Sequence, residues 1–337
     1  MNTFDPNAAA AKDSGIFGLP YSHTQAKLVL IPVPWEVTTS YGGGTSKAPE
    51  AILSASKQVD LFDYDLGNFH EAGISMLDIP NEILQWNHDA RAFAETVIAA
   101  DDAPEQIEAA VQEVNRYSKK LNDHVYHETK KLLSQGKMVG LIGGDHSTPF
   151  GAITAFLEKY PNMGILHIDA HADLRHAYEG FEHSHASIMY NVITETSLRK
   201  LVQVGIRDFC EDEFRMIQQQ ADRIQTFFDA VIFEEKMQGK GWTKICDDII
   251  QHLPNEVYVS FDIDGLDPRF CPNTGTPVPG GLDFQEAIHL LKKVVQSGRK
   301  IIGFDLNEVS PGDMSGEWDA NVGARLLYKL CGFILAE

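Results

Sequence analysis

The sequence predicts an α/β fold of three layers, α/β/α, built around an eight-stranded and mainly parallel sheet. Short apolar or β-branched runs alternate with longer stretches whose apolar residues recur at helical spacing. Several of the runs are continuously apolar, which is typical of strands that are buried on both faces. Regular alternation of strand and helix favours parallel strands joined by helices that cover both sides of the sheet.

Eight segments combine short length with apolar or β-branched composition, so each is predicted to form a strand. In chain order the predicted strands are Leu28–Val33, Ile74–Ile79, Met138–Ile142, Gly164–Asp169, Val202–Ile206, Phe228–Ile232, Val257–Asp262 and Ile301–Leu306.

The segments between these strands carry apolar residues at the spacing of one helix face. The predicted helices are Pro49–Ser56, Ala103–Gln135, Pro149–Glu158, His185–Ile193, Glu211–Gln220, Trp242–His252, Phe284–Gln296 and Asn321–Leu335. The polar, acidic stretch from Trp86 to Asn122 is predicted to form one or two surface helices inserted between strands.

The 337 residues are predicted to form one large domain. No internal repeat, low-complexity linker or break in composition divides the sequence. We expect an N-terminal arm over residues 1–26 and a single α/β domain over residues 27–337. The helical insertion lies around residues 86–122 of that domain.

The composition indicates a globular chain with an excess of acid. Twenty-eight basic and 48 acidic side chains give a formal net charge of −20. This charge argues against nucleic acid or an anionic membrane as a partner, since both attract positively charged surfaces. It is compatible with a small cationic substrate.

The cysteines and the N-terminus predict a protein of the reduced cytoplasm. The four cysteines, Cys210, Cys246, Cys271 and Cys331, lie far apart and form no C-x-x-C pair. The N-terminal segment has neither a basic region nor an apolar core, so it is not expected to be a signal peptide. No apolar run reaches the length of about 18 residues that a membrane-spanning helix needs.

Acidic residues and histidines follow three of the predicted strands, where a parallel sheet places its chemistry. Leu141–Ser147 reads LIGGDHS, and its two glycines allow a tight turn that projects the following histidine into a crevice. Leu166–Asp173 reads LHIDAHAD, and the alternate positions Asp169, His171 and Asp173 point the same way in an extended chain. Tyr258–Pro268 reads YVSFDIDGLDP.

These segments predict a metal centre. In the third segment Asp262 and Asp264 share one face of the strand end. Together with Asp169 and Asp173 they crowd carboxylates into one cleft, which needs a compensating positive charge. Six protein ligands exceed what one ion needs but fit two ions that share bridging aspartates. Oxygen-rich sites with some imidazole suit manganese, and nickel or cobalt binds such sites as well.

The same motifs resemble those of the ureohydrolase family, which includes arginase, agmatinase, guanidinobutyrase and formimidoylglutamase. GGDHS, DAHAD and SFDIDGLDP occur in that order, and the loop Asn273–Gly281 follows them. The resemblance runs from about Leu28 to near the C-terminus. It implies an arginase-like fold, two divalent metal ions and hydrolysis of a guanidino compound to urea and an amine. It also implies a homotrimer or homohexamer.

The resemblance assigns a role to each metal ligand. His146 and Asp173 would bind one ion, and His171 and Asp264 would bind the other. Asp169 and Asp262 would bridge the two ions, and Asp173 would also accept a proton from the attacking water.

The resemblance also implies two catalytic side chains outside the metal ligands. His185, in the sequence HAS, is the better match for the proton shuttle, with His183 as the competing candidate; His176 and His183 are otherwise expected to be surface residues. Glu308, in GFDLNEVSP, matches the carboxylate that grips the guanidinium, since a carboxylate fixes a planar guanidinium by paired hydrogen bonds.

The substrate stays open at this point. The loop after DAHAD lacks the small polar residues of the arginase pattern, so agmatine or guanidinobutyrate is preferred and free guanidine comes second. Arginase and formimidoylglutamase activities follow. Trp35, Tyr178 and Trp318 are candidates to close the pocket over a small substrate, and the glycines Gly42–Gly44 would lessen contact with a substrate tail.

Two other classes of protein are weighed against this interpretation. A deacetylase-type metal hydrolase also uses aspartate and histidine ligands, but its single-zinc spacing does not explain both DAHAD and DID. A metal-binding but inactive scaffold is disfavoured because all six ligand positions are filled.

Overall fold

The computed structural model describes residues 4–11, 13–99, 103–312 and 317–336. Within these ranges, eight strands form one sheet in which every neighbouring pair is parallel. The strands are β1 Leu28–Pro32, β2 Ile74–Met76, β3 Met138–Ile142, β4 Gly164–Ile168, β5 Leu201–Ile206, β6 Ile224–Phe228, β7 Glu256–Asp262 and β8 Lys300–Asn307. Their order across the sheet is β2-β1-β3-β8-β7-β4-β5-β6.

Ten α-helices lie in the described part of the chain. They are α1 Ala48–Ser56, α2 Asn81–Ala99, α3 Pro104–Ser134, α4 Phe150–Lys159, α5 Ile188–Glu195, α6 Glu211–Gln219, α7 Asp229–Met237, α8 Trp242–Ile250, α9 Phe284–Gln296 and α10 Trp318–Leu335.

Two hydrophobic cores lie on opposite faces of the sheet. Along β1, Leu28 and Leu30 contact the core that α1, α8, α9 and α10 cover, whereas Val29 and Ile31 contact the core under α2, α3, α4 and α5. Because side chains alternate between the two faces of a strand, a strand buried on both faces must be apolar at every position. The predicted three-layer α/β/α fold is confirmed, and the sheet is entirely rather than mainly parallel.

One predicted strand is wrong. The run Phe228–Ile232 was expected to be extended, but β6 ends at Phe228 and α7 begins at Asp229. β6 lies at one edge of the sheet, and Gln225 and Thr226 within it are only partly buried. An edge strand does not need a continuous apolar run. The apolar residues of Phe228–Ile232 therefore belong mostly to α7 and not to a strand. Asp229 lies in the first turn of α7, where a carboxylate interacts favourably with the helix dipole.

The predicted insertion forms two helices that contact each other, α2 and α3, and residues 100–102 between them lie outside the described residues. Near the N-terminus, Ile16, Phe17 and Leu19 are buried against the first core. The division into an arm over residues 1–26 and a domain over residues 27–337 stays a prediction; residues 1–3 and 12 of that arm lie outside the described ranges. No helix in the described part of the chain is long and apolar enough to cross a membrane.

Candidate active site

The site lies at the carboxyl ends of the central strands. β3 and β4 are consecutive in the chain, but β8 and β7 lie between them in the sheet. The loops that follow these four strands therefore open around one crevice. Such a point in a parallel sheet is a common position for a ligand. The three motifs therefore meet there, with GGDHS after β3, DAHAD after β4 and DIDGLDP at the end of β7.

The glycine pair of GGDHS is required by close packing. A Cβ atom at Gly144 would lie 1.7 Å from the carbonyl oxygen of Trp35, and one at Gly143 would lie 1.9 Å from Oδ1 of Asn307. The Gly144 carbonyl accepts the backbone N–H of Glu308 at 2.8 Å. The turn is thus pressed against the ends of β1 and β8, and it delivers His146 into the crevice with its side chain fully buried.

Three carboxylates converge on one nitrogen of His146. Its Nδ1 lies 3.0 Å from Asp169, 3.2 Å from Asp173 and 3.2 Å from Asp262. The other nitrogen, Nε2, lies 2.9 Å from the hydroxyl of Ser260.

The partner of Ser260 fixes the tautomer of His146. The Ser260 hydroxyl donates to Oδ1 of Asp305 at 2.9 Å, so it accepts the N–H from Nε2 of His146. In the neutral imidazole, Nδ1 then presents a lone pair to three carboxylates. A cation placed among these groups removes the repulsion, and histidine nitrogens with carboxylate oxygens suit a divalent transition metal. The donor set therefore fits the metal that the sequence predicts.

A second cluster of donors adjoins the first. Nδ1 of His171 lies 3.0 Å from Asp264 and 3.5 Å from Asp169. Asp169 thus faces both histidines, with one carboxylate oxygen towards each. The six residues predicted as ligands are brought together in one place.

His167 also belongs to the cluster, and the sequence analysis missed it. Its Nε2 lies 2.7 Å from Oδ2 of Asp169, and Gln203 contacts its Nδ1 at 3.1 Å. Strand alternation supplies a signal, since His167 is two residues before Asp169 and shares its face. The same polar character continues across the sheet. His167 of β4 pairs with Ser260 of β7, and Ser260 pairs with Asp305 of β8.

Crowded carboxylates raise the pKa value of a histidine in the site, and burial together with these charges raises the pKa values of two carboxyl groups. Burial opposes protonation of His171, but the carboxylates of Asp264 and Asp169 raise its pKa to about 12. Burial and the neighbouring Asp169 raise the pKa of Asp173 to about 6. Burial, Asp264 and Asp169 raise the pKa of Asp262 well above its usual range. These directions are those of a carboxylate cluster that demands positive charge.

Two site residues adopt a backbone conformation that side chains other than glycine rarely take. Asp173 has φ of 54° and Glu308 has φ of 61°. Such conformations are held only when the surroundings enforce them, and they concentrate at functional sites. For Glu308 the surroundings are the hydroxyl of Thr274, which donates to its carbonyl at 2.7 Å, and the backbone bond to Gly144.

A cavity of about 570 Å³ opens above the cluster. Glu308 lines it and is 6% exposed, and its Oε1 accepts the backbone N–H of His146 at 2.9 Å. Tyr178 also lines the cavity, as predicted, but the other two aromatic candidates do not. Trp35 is fully buried in the hydrophobic core, and Trp318 is 53% exposed with its indole N–H bonded to the carbonyl of Arg269. Residues 313–316, just before Trp318, lie outside the described residues.

Of the candidate proton shuttles, His185 lines the cavity. Burial, with the nearby His171 and His146, lowers the pKa of His185 to about 4. His183 packs against the ring of Phe150 and is partly buried rather than a surface residue. His176 is exposed, as predicted.

Known proteins resemble this chain over most of its length. Residues 26–332 match the sequence profile of the Arginase family. The chain is 32% identical over 314 residues to the N(1)-aminopropylagmatine ureohydrolase of Thermus thermophilus, covering 93% of this chain and 91% of that protein. It is 27% identical over 293 residues to the agmatinase of Halalkalibacterium halodurans, covering 86% of each.

A solved structure shares the fold and extends the comparison. Proclavaminate amidino hydrolase from Streptomyces clavuligerus superposes with a TM-score of 0.73 at 25% identity, covering 98% of this chain and 99% of that one. The family profile spans all eight strands and all three motifs. The chain therefore belongs to the arginase family, and it is a ureohydrolase, a hydrolase that acts on linear amidines.

Proposed function

We propose that this enzyme releases urea from a guanidinoalkyl amine or acid of the agmatine or guanidinobutyrate type, using two divalent metal ions. The observation that carries the proposal is the convergence of three carboxylates on Nδ1 of His146 beneath a cavity whose wall holds the buried Glu308. Relatives named N(1)-aminopropylagmatine ureohydrolase and agmatinase support a guanidino substrate.

The metal ligands follow from the two donor clusters. His146 and Asp173 would hold one ion and His171 and Asp264 the other, with Asp169 and Asp262 shared between them. Manganese is the first candidate and nickel the second, because the donors are mainly carboxylate oxygens with two imidazoles. When bound, two such ions activate water as a nucleophile and offset the negative charge that develops on the substrate.

Glu308 would orient the substrate. The backbone N–H of His146 holds Oε1, which leaves the rest of the carboxylate to face the cavity. A guanidinium presents paired N–H donors in one plane, so a fixed carboxylate sets the direction of its carbon atom. Because Glu308 is buried, a bound cation also compensates its charge.

Two side chains would handle protons. Asp173 would accept a proton from the attacking water, and His185 would give a proton to the nitrogen of the departing amine. The C–N bond to that nitrogen then breaks, leaving urea and the free amine.

The size of the cavity favours a substrate with a tail. At about 570 Å³ it is much larger than a bare guanidinium ion. Tyr41, Tyr178 and Asp208 also line the cavity and are more exposed than Glu308, so they are candidates to contact such a tail.

The test is urea release by enzyme loaded separately with manganese and nickel. The substrates are agmatine, N(1)-aminopropylagmatine, guanidinobutyrate, arginine and guanidine. Turnover of a tailed guanidine supports the proposal, turnover of guanidine alone replaces it with guanidine hydrolysis, and silence with both metals contradicts the catalytic assignment. Asp262→Asn should lose metal and activity, whereas Asp267→Asn, on the same loop but bonded to the backbone N–H of Arg269, should keep both.

The assembly is a separate proposal. We expect a homotrimer or homohexamer, which sedimentation velocity of the purified protein decides.

A further inference from the structure

Thr38 joins the candidate proton shuttle to a buried carboxylate. It is fully buried in the segment that follows β1. Its Oγ1 accepts the backbone N–H of His185 at 3.0 Å and lies 3.2 Å from Nδ1 of the same histidine. Oγ1 also lies 3.4 Å from Oδ2 of Asp145, which accepts the backbone N–H of Thr38 at 3.4 Å.

The single hydroxyl proton of Thr38 has two possible acceptors, and the environment of Asp145 favours one of them. Oδ1 of Asp145 accepts the backbone N–H and the hydroxyl of Ser147, at 3.0 and 2.5 Å. Oδ2 has only the two contacts from Thr38 among the described residues. The backbone N–H of Thr38 reaches Oδ2 only at 3.4 Å, so this buried carboxylate oxygen is better satisfied when the Thr38 hydroxyl donates to it as well.

The proton on His185 follows from that assignment. If the Thr38 hydroxyl donates to Asp145, its oxygen accepts the N–H from Nδ1 of His185 at 3.2 Å; the Ser184 hydroxyl, at 3.5 Å, is the more distant contact of the same nitrogen. Nε2 then carries the lone pair, and it makes no hydrogen bond to the residues that the structure describes. His185 lines the cavity, so Nε2 is the nitrogen available to a substrate.

We propose that Thr38 is a positioning residue that holds His185 in the tautomer with its proton on Nδ1 and its lone pair on Nε2. The inference rests on the proposed function, in which His185 carries a proton to the departing amine. In each turnover Nε2 takes up one proton from solvent water in the cavity and releases the same proton to the amine nitrogen. The proton on Nδ1 and the hydroxyl proton of Thr38 stay in place.

A cation from the inserted helices holds Thr38 in position. Nη1 of Arg91, on α2, donates to the carbonyl of Val37 at 3.1 Å and to the carbonyl of Thr39 at 2.6 Å. It also approaches the carbonyl of Glu36 at 3.4 Å. Thr38 thus lies in a segment that is clamped on both sides, which gives its hydroxyl one direction.

Two variants of Thr38 separate the effect of its hydroxyl group from the effect of its side-chain shape. Thr38→Val removes the hydroxyl and keeps the branched shape, and Thr38→Ser keeps the hydroxyl. Thr39→Val is the matched control, because the Thr39 hydroxyl donates to the carbonyl of Glu36 and contacts Arg91 but does not contact His185.

The first measurement is ¹⁵N NMR of enzyme labelled at histidine and loaded with zinc, which is diamagnetic. The signals of His185 are identified by their loss in His185→Asn. We expect Nδ1 to be protonated in the wild type and in Thr39→Val, and a mixed or reversed tautomer in Thr38→Val. A wild type protonated at Nε2, or an unchanged tautomer in Thr38→Val, overturns the inference whether or not the protein turns over a guanidino compound.

The second measurement is urea release. Thr38→Val should lower kcat by about 10- to 100-fold with KM within about twofold, and Thr38→Ser should restore most of it. In a His185→Asn background Thr38→Val should cause no further loss, because it acts through that histidine. An equal loss in both backgrounds contradicts the inference. Absence of urea release by the wild type from every guanidino compound instead contradicts the proposed function, and the NMR result then decides the tautomer alone.

Discussion

Two histidines of the site have opposite environments, and the difference suits the two tasks proposed for them. Nδ1 of His146 faces three carboxylates, which raise its pKa well above the usual range although burial opposes this. Among the described residues no carboxylate bonds to His185 directly, since Thr38 lies between it and Asp145; burial, with His171 and His146, lowers the pKa of His185 to about 4 and keeps it neutral at neutral pH. The first is arranged to hold a cation, and the second to gain and lose a proton.

The first prediction compares the effects on kcat of replacing His185 and of replacing His183, two positions earlier in the sequence. His185→Asn should lower kcat for urea release by about 100-fold or more, since general acid catalysis is typically worth that much. His183→Asn should change kcat by less than about threefold, because His183 packs against Phe150 outside the cavity. Steady-state kinetics of both variants, each with its metal content measured, decide between them; a larger loss in His183→Asn reverses the assignment.

The second prediction concerns Asp208 at the rim of the cavity. Its side chain is 68% exposed, and its nearest cationic contact among the described residues is Nε2 of His171, at 3.9 Å. Glu213 also lines the cavity, but it is buried, is already bonded to two backbone N–H groups and lies 3.7 Å from Arg175. Asp208 is therefore the carboxylate left to attract the ammonium end of an agmatine-type substrate.

Asp208→Asn should raise KM for agmatine by about two- to fivefold, as expected for an exposed ion pair, and leave KM for guanidinobutyrate unchanged or lower. Asp212→Asn changes an exposed acid that lies on α6, four residues after Asp208, and pairs with Arg215; it is the control and should alter neither KM. Equal effects on the two substrates contradict a role in recognising the tail.

At the scale of elements, the sequence predicted what depends on local pattern and missed what depends on position in the sheet. The motifs were found because acidic residues follow buried apolar runs. β6 and α7 were misplaced because an edge strand needs only one well-buried face, and nothing local says which strand is the edge. His167, Ser260 and Asp305 were overlooked inside apolar strands, since their partners lie across the sheet at distant positions in the chain.

The third prediction tests the turn after β3. In Gly144→Ala the added Cβ would lie 1.7 Å from the carbonyl oxygen of Trp35, so the turn must move away from β1. We expect the free energy of unfolding to fall by more than about 3 kcal/mol and the metal content to drop, because His146 follows two residues later. Gly43→Ala is the control, as a Cβ at Gly43 meets nothing within 4 Å.

Thermal unfolding and metal analysis of both variants supply the measurement. If Gly144→Ala retains full metal content and stability, the close contact with Trp35 does not fix the position of His146. If Gly144→Ala loses metal at unchanged stability, the turn positions His146 for metal binding but does not contribute to the stability of the fold.

At the scale of the whole molecule, the site is assembled from segments that are far apart in the chain. Thr38 is 107 positions from Asp145 and 147 from His185 in the chain, yet its hydroxyl contacts both. Parallel topology explains why the ends of β1, β3 and β4 face one crevice, and this much was predictable. The strand order that places β8 and β7 between β3 and β4 was not, because short apolar strands carry little information about their neighbours.

The fourth prediction concerns an ion pair that fastens the C-terminal helix to the loop after α1. Asp63 accepts a hydrogen bond from Lys329 of α10, and its Oδ1 accepts the backbone N–H groups of Asp65 and Leu66 at 2.9 and 3.0 Å. Burial tends to raise the pKa of Asp63, but Lys329 and the backbone N–H of Asp65 hold it below the usual range. A carboxyl whose pKa is lower in the folded state stabilises the fold above its unfolded pKa, of about 3.9, and loses this contribution as pH falls through the folded value.

Lys329→Met should therefore lower the free energy of unfolding by about 1–3 kcal/mol near neutral pH, since it leaves a largely buried carboxylate without its cation. The difference from the wild type should shrink as pH falls below about 4, because Asp63 then becomes protonated in both proteins. Lys292→Met is the control, because the pair between Lys292 and Asp65 is more exposed and should contribute about 0–1 kcal/mol. Urea unfolding of the three proteins across this pH range provides the measurement. A difference that stays constant with pH assigns the effect to the packing of the Lys329 side chain, and not to its charge.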